Sequence, residues 1–195
     1  MSATRFGQDR NPVDQGKKVV AFVYPTEEFP GEIFSALARR CRELGLSISG
    51  VLQWPVPEGG DHRCDVILED LASGHRTELF ENRGPGARGC RLDTAALADI
   101  AARIEGSLEN APNLLILNKY GKVECEGGGF RDLVANAIDR EIVVVIGVPQ
   151  RNLELWREFA GDLSVEISGD GAALLEWVLD RLLIGTERKE CAESA

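Results

Sequence analysis

Asn113-Leu114-Leu115-Ile116-Leu117-Asn118-Lys119-Tyr120-Gly121-Lys122 is the stretch on which the fold turns. An apolar run this short, with turn residues on both sides, is the pattern of a strand buried on both faces. It stops abruptly at an amide, two lysines and a glycine. Gly127-Gly128-Gly129 follow, and then Phe130, Leu133, Val134, Ala137 and Ile138 recur at helical spacing. In an open α/β sheet, ligands sit outside the carboxyl ends of the strands. The polar turn 118–122 is therefore the first place to look for function.

The same alternation runs outward in both directions. Lys18–Tyr24 is a β-branched core strand, broken by Pro25-Thr26-Glu27-Glu28-Phe29-Pro30-Gly31. A helix follows with Ile33, Phe34, Leu37, Ala38, Cys41 and Leu44 inward, stopped by Gly45. Leu46–Gln53 reads as a second strand, and this unit is a right-handed parallel crossover. Asp65–Asp70 and Arg76–Phe80 predict a β-hairpin around Ala72-Ser73-Gly74-His75. Asp93 caps a helix with Leu97, Ile100, Ala101, Ile104 and Leu108 on one stripe. Beyond the central stretch come a strand Glu141–Gly147, a short helix Asn152–Phe159, a strand Leu163–Ile167, and a helix capped by Asp170.

Strands alternating with helices predict a three-layer α/β domain with a mostly parallel sheet and an inserted hairpin. The domain spans 17–185, between a flexible arm over 1–16 and a flexible tail over 186–195. Trp54, Trp156 and Trp177 read as packing residues rather than a stacking platform.

Composition removes several classes of function. Of the 195 residues, 32 are acidic and 22 basic, a net charge of −10 that disfavours general nucleic-acid binding. No apolar run approaches the roughly 20 residues of a membrane helix. The polar start Met1–Gly16 lacks an apolar leader core. Five widely spaced cysteines, with no CxxC pair, predict reduced thiols and a cytoplasmic protein. With two histidines, both in predicted loops, a Ser-His-Asp triad is not indicated.

A P-loop needs a glycine-rich turn with Gly-Lys-Ser/Thr between the first strand and helix. Here the turn Tyr24–Glu32 holds one glycine, two prolines and three glutamates. Those carboxylates would repel a triphosphate. The acidic pair expected after the central strand is replaced by Asn118-Lys119, with Lys122 close by. The swap favours an anion over Mg²⁺, so Mg²⁺ is not expected at a standard P-loop position and no metal site is assigned. The plainer reading is that both lysines are solvated turn residues.

Arg83, Arg88 and Arg91 flank Gly84, Gly86 and Gly89 in a basic loop. With Asn118, Lys119, Lys122 and Arg131 they form the candidate anion site, because a guanidinium fork suits an oxyanion. The plainer reading of the arginines is a solubilising loop. Cys90, before the Asp93 cap, and Cys125 form a candidate thiol site, with Cys64 and His62 as further neighbours. Glu124 and Glu126 are candidate acids without an evident partner.

The stretch Asn113–Ala137 resembles the strand–turn–helix of the THEP1-type NTPases, which carry Asp-Glu-x-Gly at the corresponding turn. The hairpin Val66–Glu78 resembles that family's Asp-Leu-x-x-Gly-Glu-Arg hairpin. The chain from Lys18 to Leu183 resembles more closely DUF2478, a family of uncharacterised bacterial proteins. The matching segments are Arg83-Gly84-Pro85-Gly86-Ala87-Arg88-Gly89-Cys90-Arg91-Leu92-Asp93, Asn118-Lys119-Tyr120-Gly121-Lys122 and Gly147-Val148-Pro149. The resemblance implies a P-loop NTPase-like fold with degenerate Walker motifs. It also implies a link to molybdate transport or metabolism, and no NTPase catalytic residue carries over.

Three functions remain open. The leading one is a protein that binds a nucleotide or a small oxyanion such as molybdate at the carboxyl edge of the sheet. The others are a divergent nucleotide phosphohydrolase or kinase, and a regulatory module that binds a protein partner or a second copy of the chain.

Overall fold

The structure is a computed structural model that describes residues 16–55, 66–80 and 92–193, with side chains described as far as residue 182. Its strands are β1 (Val19–Tyr24), β2 (Ile48–Pro55), β3 (Val66–Asp70), β4 (Arg76–Glu78), β5 (Leu114–Leu117), β6 (Val143–Pro149) and β7 (Ser164–Ser168). Its helices are α1 (Gly31–Glu43), α2 (Thr94–Leu108), α3 (Lys122–Cys125), α4 (Arg131–Asp139), α5 (Leu153–Ala160) and α6 (Gly171–Glu193).

All seven strands form one sheet, in the order β4-β3-β2-β5-β6-β1-β7. The five strands from β2 to β7 in that order are parallel, and β3 and β4 add an antiparallel hairpin at one edge. The central pair keeps the register Leu114↔Val143 through Leu117↔Ile146.

Alternation along the strands explains the three layers. Val20, Phe22, Leu114, Ile116, Val143 and Val145 pack with Phe34 and Leu37 of α1 and with Leu174 and Val178 of α6. Their neighbours Val19, Ala21, Leu115, Leu117, Val144 and Ile146 face the other way. They pack with Ile100 and Ile104 of α2, Leu133 and Val134 of α4, and Trp156 of α5. A strand in that position has no solvent face, which is why β5 and β6 are uninterrupted apolar runs. Trp156 and Trp177 are buried in these two cores. Asp93 caps α2, accepting from the amides of Ala95 and Ala96 at 3.0 and 2.9 Å.

Several boundaries differ from the sequence reading. β4 stops at Glu78, and Phe80 instead makes an isolated antiparallel bridge to Leu92. The polar turn after β5 contains the helical turn α3. The backbone of α6 stays helical to Glu193, inside the segment 186–195 read as a tail. That segment holds Glu, Arg, Lys and Ala, which are strong helix formers, and no proline.

Candidate functional site

The carboxyl ends of β5 and β6 lie side by side, and the turns that leave them are tied together. The Tyr120 amide donates to the Gly147 carbonyl at 2.7 Å, and Asn152 Nδ2 donates to the Tyr120 carbonyl at 2.8 Å. The Tyr120 ring is buried edge-on to Trp156, with centroids 5.2 Å apart, and stacks on Phe159 at 6.0 Å. Tyr120 is thus the anchor of the turn, and the residues on either side of it are aimed by that anchor.

Asn118, the first residue after β5, is buried, with 2% exposure. Its Nδ2 donates to Gln53 Oε1 at 3.4 Å, and its Oδ1 is buried without a hydrogen-bond partner. Tyr24 Oη, at the carboxyl end of β1, is buried and unpartnered in the same way. Burial pushes the Tyr24 phenol far above its ordinary range, so it stays a neutral donor. Unpaired buried polar atoms are uncommon and call for an explanation such as a bound group.

Lys119 is half-buried. Burial pulls its ammonium below the usual lysine range, the nearby Arg151 guanidinium adds to that, and Glu124 opposes it. Arg151 lies in the turn after β6, where its amide donates to Thr26 Oγ1 at 3.3 Å. That bond also ties the β6 turn to the loop after β1. Lys119 and Arg151 therefore bring two like charges to one strand edge.

Glu124 shapes this turn from below. Its carboxylate has 5% exposure. It accepts from the Gly121 amide at 2.8 Å and from the Phe130 amide at 3.1 Å. Gly129, at φ +61°, has no room for a Cβ, because that atom would overlap the Glu124 carboxyl group. The glycine run of the sequence is thus partly accounted for by the approach of a buried carboxylate. Glu124 has its partners within the turn, which the sequence did not reveal.

The other candidates are distributed differently. Lys122 projects into solvent, 86% exposed, and pairs with Glu126 at 3.6 Å. The Arg131 guanidinium lies over the Phe159 ring, 4.3 Å from its centroid. Burial pushes the Cys125 thiol upward, and the carboxylates of Glu124 and Glu126 add to that, so it is held protonated rather than activated. Arg83, Arg88, Arg91, Cys90, Cys64 and His62 lie outside the described residues. Among the described residues, no three His, Cys, Asp or Glu side chains converge as a metal site. Sequence reasoning missed Arg151. Its signal was its place just past the end of β6, the criterion that selected Asn118–Lys122.

A cleft of about 520 Å³ opens between α3 and α5. Lys122, Cys125 and Glu126 line one wall, and Arg151, Asn152 and Leu155 line the other. The loop after β1, by contrast, leads into α1 through Pro30, with no side-chain cap and with Glu32 in the first turn.

The whole fold resembles that of known nucleoside triphosphatases. A human cancer-related nucleoside triphosphatase superposes with a TM-score of 0.60 at 16% identity, covering 88% of this chain and 98% of that one. THEP1 from Aquifex aeolicus superposes with a TM-score of 0.57 at 18% identity, covering 84% and 96%. A curated relative, Molybdenum import ATP-binding protein ModC 2 of Bradyrhizobium diazoefficiens, is 27% identical over 163 residues. Those residues are 84% of this chain and 18% of that protein, so the chain spans under a fifth of the relative's length. No helix among the described residues is long and apolar enough to cross a membrane. A family model for a protein of unknown function, DUF2478, matches residues 19–177, and the chain belongs to that family.

Proposed function

We propose that this domain binds a small oxyanion or the phosphate of a nucleotide at the carboxyl edge of its sheet, between Lys119 and Arg151, without hydrolysing it. The observation that carries this reading is the pairing of a half-buried Lys119 with a second, nearby cation. Desolvating one ammonium beside a guanidinium is unfavourable, and the attraction of a bound anion to both cations offsets that cost. Tyr24 Oη would donate a directional hydrogen bond, and Asn118 Oδ1, an acceptor, would take one from a protonated oxygen or other donor of the ligand. The first turn has no Gly-Lys-Ser/Thr, and Asn118-Lys119 stands where an acidic pair would hold Mg²⁺. Both features suit binding over catalysis and a degenerate Walker site.

The relative named for molybdenum import supports molybdate and tungstate as the first oxyanions to try, in a protein of the bacterial cytoplasm. The test is a thermal-shift series with molybdate, tungstate, sulfate, phosphate, ATP and GTP, each with and without Mg²⁺. A ligand of the folded state raises the melting temperature once its concentration exceeds its Kd. A rise with at least one anion, lost in Lys119→Ala and Arg151→Ala, is the expected result. No rise with any anion overturns the proposal.

One observation favours a second reading, a regulatory domain of an import system. The matched region makes up only 18% of its ATP-binding relative, so in that protein it is one part of a longer chain. Stable association of this chain with an ATP-binding import subunit, unaffected by any anion, would favour that reading.

A further inference from the structure

The cleft between α3 and α5 says more about the ligand than the two cations do. We infer that the anion bound at Lys119 and Arg151 is carried on an apolar organic body, as in a phosphate monoester, and that this body lies in the cleft against Leu155. The inference rests on the anion-site reading above and narrows it.

Size is the first argument. The cleft measures about 520 Å³, within the roughly 300–1,000 Å³ range of sites that hold small organic ligands. One water takes about 30 Å³ of liquid volume, so a five-atom tetrahedral ion would leave most of the cleft filled with solvent. Arg151 belongs both to the cation pair and to the cleft wall, so one ligand can engage both.

The chemistry of the walls gives the orientation. Leu155 is 43% exposed although it sits in the cleft, and an apolar ligand surface would cover it favourably. Cys125, held as a neutral thiol, behaves there as a small apolar group. Glu126 on the same wall is an anion, paired with Lys122 at 3.6 Å. Its carboxylate disfavours a bare oxyanion directly beside it but accepts from a hydroxyl or amine. The charged group therefore points to Lys119 and Arg151, and the neutral body points to Leu155 and Glu126. The walls are held in place independently of any ligand. Asn152 locks the α5 side onto Tyr120, and Glu124 locks the α3 side through Gly121.

Calorimetric titration of the full chain with inorganic phosphate, phenyl phosphate and adenosine monophosphate tests this. At least one ester is expected to bind tenfold or more tighter than inorganic phosphate. Leu155→Ser should weaken that ester at least threefold and leave inorganic phosphate within twofold. Leu155 is a surface position, so the variant retains the fold. Phosphate binding with no ester tighter, or an ester unaffected by Leu155→Ser, overturns the organic-body inference and leaves the anion site standing. Binding of neither phosphate nor ester overturns the organic-body inference, while the anion site falls only if molybdate, tungstate and sulfate also fail to bind.

Discussion

The Tyr120 amide donates to the Gly147 carbonyl at 2.7 Å, so the turn that carries the candidate site hangs from the neighbouring strand β6. The two strands approach closely there because residue 147 has no side chain. A Cβ at that position would overlap the Asn118 carbonyl and press on the Phe34 ring. Gly147→Ala should therefore cost about 1–3 kcal/mol, the usual range for overpacking a filled interior. Urea denaturation measures it directly. The variant should also lose anion binding, because the carbonyl it displaces belongs to Asn118.

Glu124 presents a different kind of cost. Glu124→Gln keeps the shape of the side chain but turns one carboxylate oxygen into a donor facing an amide hydrogen. One of the Gly121 and Phe130 amides is then left without a partner. Stability should fall by about 1–3 kcal/mol, the cost of an unmet buried hydrogen bond. Hydrogen exchange should report faster opening at the amide that lost its acceptor.

Lys119→Met is expected to stabilise the protein at neutral pH, by about 0.5–2 kcal/mol. The folded chain binds the Lys119 proton less tightly than the unfolded chain does, so the charged ammonium opposes folding. A thermal melt without ligand should show the gain. The same variant should show no shift with any anion. Lys122→Ala should do neither, because its exposed pair with Glu126 contributes little.

Cys41 supplies the pH dependence. It lies on the buried face of α1, and burial pushes its thiol from 9.0 to about 11. Its folded pKa lies above its unfolded value, so its contribution is fully present below pH 9. It is lost as the pH rises from there through about 11. Stability measured across that interval should fall less steeply in Cys41→Ala than in the parent chain. Cys41 should also resist alkylation at pH 8 until the protein unfolds.

Arg131→Leu tests the guanidinium over Phe159. A cation above an aromatic face at a partly exposed site contributes about 0.5–1 kcal/mol, and denaturation should show a loss of that size. Unchanged anion affinity in the same variant would mark Arg131 as a packing residue of α4.

The sheet was legible because its central strands have no solvent face. Leu114–Leu117 and Val143–Ile146 need apolar residues at every position, and such runs survive in the sequence without interpretation. Lys119 and Lys122 were harder to tell apart. They are the same residue type three positions apart, and nothing local separates them. The difference arises from β6, whose outgoing turn brings Arg151 toward Lys119 while α3 carries Lys122 outward. The helical turn α3 was hidden for a similar reason. It is closed by Glu124 reaching forward to Phe130, a bond that spacing alone does not announce. Arg151 belongs to no motif, and only its place just past the carboxyl end of β6 marks it.

The strand order also governs how the chain is assembled as it is synthesised. Val19 in β1 pairs with Val144 on one side and Ser164 on the other, so both neighbours of β1 are made long after it. Until then this apolar strand has two open edges and no native partner, a state prone to wrong pairing and aggregation. β2, β3 and β4 pair in chain order and are available first, and β5 then joins β2. The nascent chain can therefore build its sheet from the hairpin edge inward, while β1 waits for β6 on one side and then for β7 on the other. A ribosome-bound chain stopped before β6 should thus hold its first strand as an unpaired ribbon, a natural target for a chaperone.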